Sequence, residues 1–200
     1  MRISTQFTYE DLQHIPQDRN RYEIVEGDLL VAPAPNTLHQ TIVLNLGGDL
    51  RQHVRKHRLG RVFVAPYDIV FSPSTVLEPD VIFVSNARLH IIGKKNLSGP
   101  PDLVVEVSSP TTRARDLTRK KDLYERFGVA EYWFVDLDAE RFEVYRLNEG
   151  RFAPPTFFGR NEVATSPFLP GLEVSVDEVL TALRIFVRRA AGASDPVAVG

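Results

Sequence analysis

The sequence predicts an α/β (α+β) protein built on a mixed β-sheet flanked by helices. Three observations predict it. Apolar residues recur at helical spacing through Ile42, Val43, Leu46, Leu50 and Val54, whereas from Arg61 onward they fall into strand-length runs bounded by proline and glycine. A second helical stretch then interrupts the strands before more strand runs follow, so the two periods alternate along one chain. Finally, 43% of the 200 residues are hydrophobic and 10% aromatic, enough apolar material to fill one sizeable core.

The elements follow in order. Thr8, with Asp11 three positions on, offers an N-cap and opens a short helix that stops near Pro16. Tyr22–Val25 and Leu29–Val31 flank Glu26-Gly27-Asp28, a hairpin signal. Thr37 with Gln40 repeats the capping pattern and starts a long helix that runs to the Arg/His-rich stretch ending at Gly60. Four strands are expected at Arg61–Ala65, Tyr67–Phe71, Asp80–Val84 and Asp102–Val107. A second helix spans Arg113 to Phe127 and ends at Gly128, suited to a left-handed cap. Glu131–Asp136 and Arg141–Leu147 read as a further hairpin, and a strand near Phe168–Val174 leads to a helix from Asp177 to about Ala191. Residues 1–191 are expected to form a single domain and 192–200 a frayed tail.

Composition narrows the function classes. The absence of Cys excludes a disulfide framework, a zinc ribbon and a thiol nucleophile, and fits a reducing compartment. Met1–Asp18 is polar where a signal peptide needs an apolar run, and the longest apolar stretches fall far short of the roughly 20 residues of a membrane span. A cytoplasmic location is the default expectation. The net charge of −2, from 24 basic and 26 acidic residues, argues against strong non-specific binding to nucleic acid.

Two carboxylates stand where packing alone gives no reason for them. Asp80, in Glu78-Pro79-Asp80, opens the run Val81–Val84, at the mouth of a strand that reads as buried on both faces. Glu106 lies inside Leu103-Val104-Val105-Glu106-Val107, where a carboxylate is costly to bury unless a cation meets it. The competing reading is an edge strand with Glu106 in water. On the second helix, Leu117, Leu123, Tyr124 and Phe127 define an inward stripe with Lys120 near its centre and Lys121 at its edge. Lys120 is therefore the lysine expected to face the sheet; the alternative is a lysine whose stem covers apolar surface while its head reaches water. Two carboxylates that can hold Mg²⁺, with Mn²⁺ as a substitute, and one ammonium suit the hydrolysis of a phosphodiester. A glycosidase built on Asp80 and Glu106 would leave Lys120 without a role.

Pro79-Asp80, Glu106 within Val104–Pro110, Lys120, Tyr124 and the run Gly128-Val129-Ala130-Glu131-Tyr132-Trp133-Phe134-Val135-Asp136 resemble the Uma-type putative restriction endonucleases, a group of the PD-(D/E)XK nuclease superfamily. The resemblance runs from about Tyr22 to Leu147. It implies a restriction-endonuclease-like core, Asp80 and Glu106 as metal ligands, and Mg²⁺-dependent cleavage of DNA. One position departs from the superfamily motif: its lysine belongs two residues after Glu106, where this chain has Ser108, and the resemblance places it instead at Lys120, four residues before Tyr124. Glu23 matches the family's N-terminal glutamate, reaching the metal directly or through water, with Glu26 the less favoured choice. His39, inward-facing by its spacing from Ile42 and Val43, is either an accessory residue or a structural histidine, and Tyr124 is a second accessory candidate. The alternative function is a catalytically inactive nuclease-fold module that binds DNA or a protein partner.

Local charge qualifies the near-neutral total. Arg51, His53, Arg55, Lys56, His57, Arg58 and Arg61 form one basic cluster, Arg113, Arg115, Arg119, Lys120 and Lys121 a second, and Arg184, Arg188 and Arg189 a third. The second surrounds the proposed site, so Arg113, Arg115, Arg119 and Lys121 are the expected nucleic-acid contacts. A homodimer is expected as well, because cutting both strands commonly uses two sites related by two-fold symmetry.

Overall fold

The computed structural model describes residues 6–15, 18–109 and 112–181. Its mixed α+β architecture rests on two larger sheets and a hairpin. The short helix α1 (Tyr9–Leu12) begins as expected, with the Thr8 backbone N–H donating to the Asp11 carboxylate at 2.7 Å. Strands β1 (Arg21–Val25) and β2 (Asp28–Ala32) pair antiparallel around the Glu26-Gly27 turn. Helix α2 (Thr37–His57) starts one residue away from the expected cap: Asn36, not Thr37, is the N-cap, and its side chain accepts from the His39 N–H at 2.9 Å. It also ends before Gly60, at Arg58 in the left-handed conformation. Gly60 opens the next strand instead, because a Cβ there would collide with the Val84 carbonyl oxygen.

Strands β3 (Gly60–Val64), β4 (Asp68–Ser72), β5 (Thr75–Leu77) and β6 (Val81–Ser85) follow. After a 3₁₀ turn at Asn86–Ile91 come β7 (Asn96–Ser98) and β8 (Leu103–Val107). The second helix is continuous over the expected range but changes pitch: α3 (Arg113–Arg115), a π-helical segment (Asp116–Lys120) and α4 (Lys121–Phe127), closed by Gly128 at φ 81°. Strands β9 (Glu131–Asp136), β10 (Arg141–Asn148), β11 (Arg151–Phe152), β12 (Thr156–Phe158), β13 (Val163–Ser166) and β14 (Leu169–Ser175) and helix α5 (Val176–Val179) complete the described chain. Beyond Thr181 the expected last helix, its arginines and the tail lie outside the described residues, as does Pro16.

The larger sheet runs β11-β10-β9-β8-β6-β3, with β12 added on β10. Within it β8 and β9 are parallel, and β6 pairs antiparallel with both β3 and β8. The central strands are covered on both sides, and their side chains alternate between two apolar clusters. Val81, Phe83, Leu103, Val105, Trp133 and Val135 meet Ile42, Leu46 and Leu50 of α2. Ile82, Val84, Val104, Tyr132 and Phe134 face the other way, onto Leu123 and Tyr124 of α4 and onto Val25, Ile69 and Leu77 of the smaller sheet. That smaller sheet runs β2-β1-β5-β4-β7. Fully burying a leucine such as Leu46 or Leu50 contributes about 2–3 kcal/mol, so α2 is held chiefly by this stripe.

Candidate active site

Strand register creates the site. β6 and β8 pair Val81 with Val105, Ile82 with Val104 and Phe83 with Leu103. Continuing that antiparallel register by one residue sets Asp80 across from Glu106, on the face shared by Ile82 and Val104. Two hydrogen bonds fasten Asp80 there: its N–H donates to the Val105 carbonyl at 3.1 Å, one residue off the register, and the Val107 N–H donates to Asp80 Oδ2 at 2.7 Å. All five residues of β8 are buried and the strand lies between β6 and β9, which rules out the edge-strand reading of Glu106.

The helix above supplies the cation. Asp116, Lys120 and Tyr124 recur every four residues on its buried side. Lys120 Nζ lies 2.7 Å from Glu106 Oε1 and 2.8 Å from Glu23 Oε1, and the Tyr124 hydroxyl donates to the same Glu106 oxygen at 2.6 Å. The Lys120 side chain is only 4% exposed, so its ammonium is not the water-reaching head of the alternative reading. Glu23 comes from β1 and also accepts from the Glu78 N–H at 2.9 Å. Glu26, the less favoured glutamate, instead pairs with Arg126 at 2.7 Å and does not line the cavity.

His39 is delivered by the capped first turn of α2. Its Nε2 lies 3.1 Å from the Val107 carbonyl and 3.2 Å from Asp80 Oδ2. A carbonyl only accepts, so Nε2 carries the hydrogen; Nδ1 is buried with no hydrogen-bond partner. Two residues were missed by reading the sequence. Arg21 Nη1 binds Asp80 Oδ1 at 2.8 Å while its Nε binds Glu78 Oε1 at 2.7 Å and its Nη2 donates to the Glu78 carbonyl. Asp116 lies with its Oδ1 3.8 Å from Lys120 Nζ and without a hydrogen-bond partner. Both had a signal: Arg21 shares a strand face with Glu23, and Asp116 shares a helix face with Lys120.

Electrostatics separate the opposed acids. Burial works to raise the Asp80 pKa, but the hydrogen bond and charge of His39, the Arg21 guanidinium and the Val107 N–H together hold it below the usual carboxylate range. Burial pushes Glu106 above that range; Lys120 opposes the shift, while Asp116, Asp80 and Glu23 add to it. Lys120 is held charged despite burial by Glu106, Glu23 and Asp116. One ammonium thus answers three carboxylates.

These groups line a cavity of about 460 Å³ whose wall includes Arg21, Glu23, His39, Asp80, Glu106 and Lys120. Hard oxygen donors and an excess of negative charge, with one Asp116 oxygen unsatisfied, fit a divalent cation. Among the described residues no three His, Asp or Glu side chains are gathered closely enough to hold an ion alone.

The expected nucleic-acid contacts divide. Arg113 pairs with buried Asp136 at 2.5 Å, Arg119 with Asp28 at 2.8 Å, and Lys121 approaches Asp122 at 3.7 Å while lying over the Tyr145 ring. Arg115 also lines the cavity, and its Nε is buried with no acceptor among the described residues.

Comparison with known proteins agrees with this fold. In the solved structures, a protein from Anabaena variabilis described as a "putative nuclease belonging to DUF820" superposes with a TM-score of 0.74 at 20% identity, over 88% of this chain and 99% of that one. At that identity the likeness is one of fold. No curated protein matches. The family Uma2, described as "Putative restriction endonuclease", matches residues 8–177, and the chain belongs to that family of nuclease-like proteins.

Proposed function

We propose that this protein hydrolyses DNA phosphodiester bonds with Mg²⁺, or Mn²⁺ in its place, held by Asp80 and Glu106. The observation that carries the reading is the convergence of Asp80, Glu106 and Lys120 on one cavity, with the two acids opposed across neighbouring strands and the ammonium 2.7 Å from the second. A bound divalent ion supplies an acidified water and stabilises charge on phosphorus. The chain's own groups do the rest. Tyr124 and Lys120 fix the Glu106 carboxylate from the helix side, and His39 and the Val107 N–H fix Asp80 from the strand side. Lys120 places a permanent positive charge where negative charge builds on the phosphate. Arg115, whose buried Nε has no hydrogen-bond partner among the described residues, is suited to a phosphate oxygen. A homodimer would bring two such sites to the two strands.

A second reading, a nuclease-fold module that binds DNA or a protein without cutting, draws on Arg21, which already neutralises Asp80. Supercoiled plasmid incubated with Mg²⁺ or Mn²⁺ separates the two. The nuclease reading expects nicking that Asp80→Ala abolishes. Equal nicking by both proteins overturns the site, and salt-sensitive, metal-indifferent DNA retention without nicking favours the binding module.

A further inference from the structure

Two further cavities continue from the site along α2. A second, of about 580 Å³, shares Arg21, His39 and Asp80 with the first and extends past Leu44 and Gly48 to Arg51. A third, of about 580 Å³, takes over at Arg51 and Val62 and is lined by Arg51, Arg55, Arg58 and Arg61 with no acidic residue. The three form one track: a carboxylate-lysine centre, an apolar middle, and a four-arginine end.

Nothing among the described residues packs over the middle. Leu44 is 73% exposed and Val64 46%. Glycine inside a helix costs about 1 kcal/mol relative to alanine. At Gly47 contact explains it, since a Cβ would stand 2.9 Å from Val64 Cγ1, but a Cβ at Gly48 would meet nothing within 4 Å. His39, 7% exposed, stands between the first two cavities with Nδ1 unbonded, an unused hydrogen-bonding position in the shared wall. Of the acids in the wall of the middle cavity, Asp18 is taken up by Asn20 and Tyr22, and Glu78 and Asp80 by Arg21. At the far end, none of the four arginines forms an ion pair among the described residues; Arg61 reaches only the Gly60 carbonyl.

We propose that this track holds an unpaired DNA strand leading away from the scissile phosphate. Its nucleoside next to the cut sits in the Leu44–Gly48 cavity, and its following phosphates sit among Arg51, Arg55, Arg58 and Arg61. This rests on the nuclease reading and names its substrate class: single-stranded, frayed or branched DNA. The physical reason is access. A base stacked in a duplex cannot enter a cavity, whereas an unpaired one offers an apolar face to Leu44 and Val64 and edge groups to His39. Four guanidiniums with no ion pair among the described residues, from Arg51 and Arg55 on α2, Arg58 at its cap and Arg61 on β3, match a flexible phosphate chain.

The test is fluorescence anisotropy of labelled oligothymidylate, and of the same strand in a blunt duplex, with the full chain in EDTA. Tighter binding of the single strand is expected. Arg55→Glu/Arg58→Glu should weaken it and lower the slope of log affinity against log salt by about 1.5. Gly48→Leu, which favours the helix while filling the middle cavity, should weaken single-strand binding about tenfold with the melting temperature unchanged or raised. Unchanged affinity in both variants, or tighter binding to the duplex, overturns the proposal. So does sedimentation showing a dimer that Leu44→Glu dissociates while single-strand binding persists, because the patch is then a self-association surface. Loss of metal-dependent nicking alone would strike the nuclease reading and leave these binding results standing.

Discussion

Replacing Lys120 with methionine tests the electrostatic centre most directly. The substitution keeps the length and apolar stem of the side chain and removes only the ammonium, which stands 2.7 Å from Glu106 and 2.8 Å from Glu23, with all three side chains less than a tenth exposed. Removing one partner of a buried pair costs about 3–5 kcal/mol when the other remains charged. Here the orphaned carboxylate can escape that cost by taking a proton, and burial already pushes Glu106 in that direction. The penalty must therefore depend on pH. In the wild type the Lys120 pKa is raised by folding, so its contribution is fully present at every pH below the ordinary lysine value. In Lys120→Met the Glu106 pKa rises further, and an acid whose folded pKa is raised is stable when protonated and loses stability as pH climbs through that value. Urea unfolding at pH 5.5 and pH 8.5 reads the difference, with a loss near the full 3–5 kcal/mol expected at the higher pH and about half at the lower. Equal losses at both, or a loss under about 1 kcal/mol, would refute the buried ammonium-carboxylate centre.

Other expectations are simpler. Asp68 is pushed up to about 6 by burial and by its neighbours Glu78 and Glu23. A raised acid contributes stability below its ordinary pKa and loses it as pH rises through 6, so Asp68→Asn should gain on the wild type by up to about 3 kcal/mol between pH 4 and pH 7; parallel stability curves would remove the shift. Among the arginines near the site, Arg115→Ala should weaken DNA binding and lower the salt slope by about one, while the stability of the fold is kept. Arg113→Ala should do the reverse: it frees buried Asp136 and costs about 2 kcal/mol in urea unfolding, with DNA affinity little changed.

Much of this was legible in the chain. The Thr8 cap, the Gly128 stop, the hairpins and the central strands follow from local period and turn chemistry, and the described boundaries moved by one to four residues. What the sequence could not show was short and non-local. β5 and β7 are three residues each, too brief for a period to register, and exist because β1 and β4 offer them edges. The cap shift from Thr37 to Asn36 matters more than its size, because it sets the turn that carries His39 to the Val107 carbonyl. The basic residues Arg113, Arg119 and Arg115 look alike in sequence, and only the position of Asp136 and Asp28 separates the two that form close ion pairs from the one whose Nε has no hydrogen-bond partner among the described residues.

By itself the sequence determined the fold class, the anomaly of two acids in apolar strands, and the helix face that presents Lys120, because each depends on residues within a few positions of one another. Only the tertiary structure decided that Asp80 opposes Glu106, that Arg21 already binds Asp80, and that Lys120 must answer Glu23 and Asp116 as well. Those facts depend on the register between β6 and β8 and on the packing of β1 and the helix over it. A pairing register is fixed by which faces the whole chain can bury, and no local stretch contains that information.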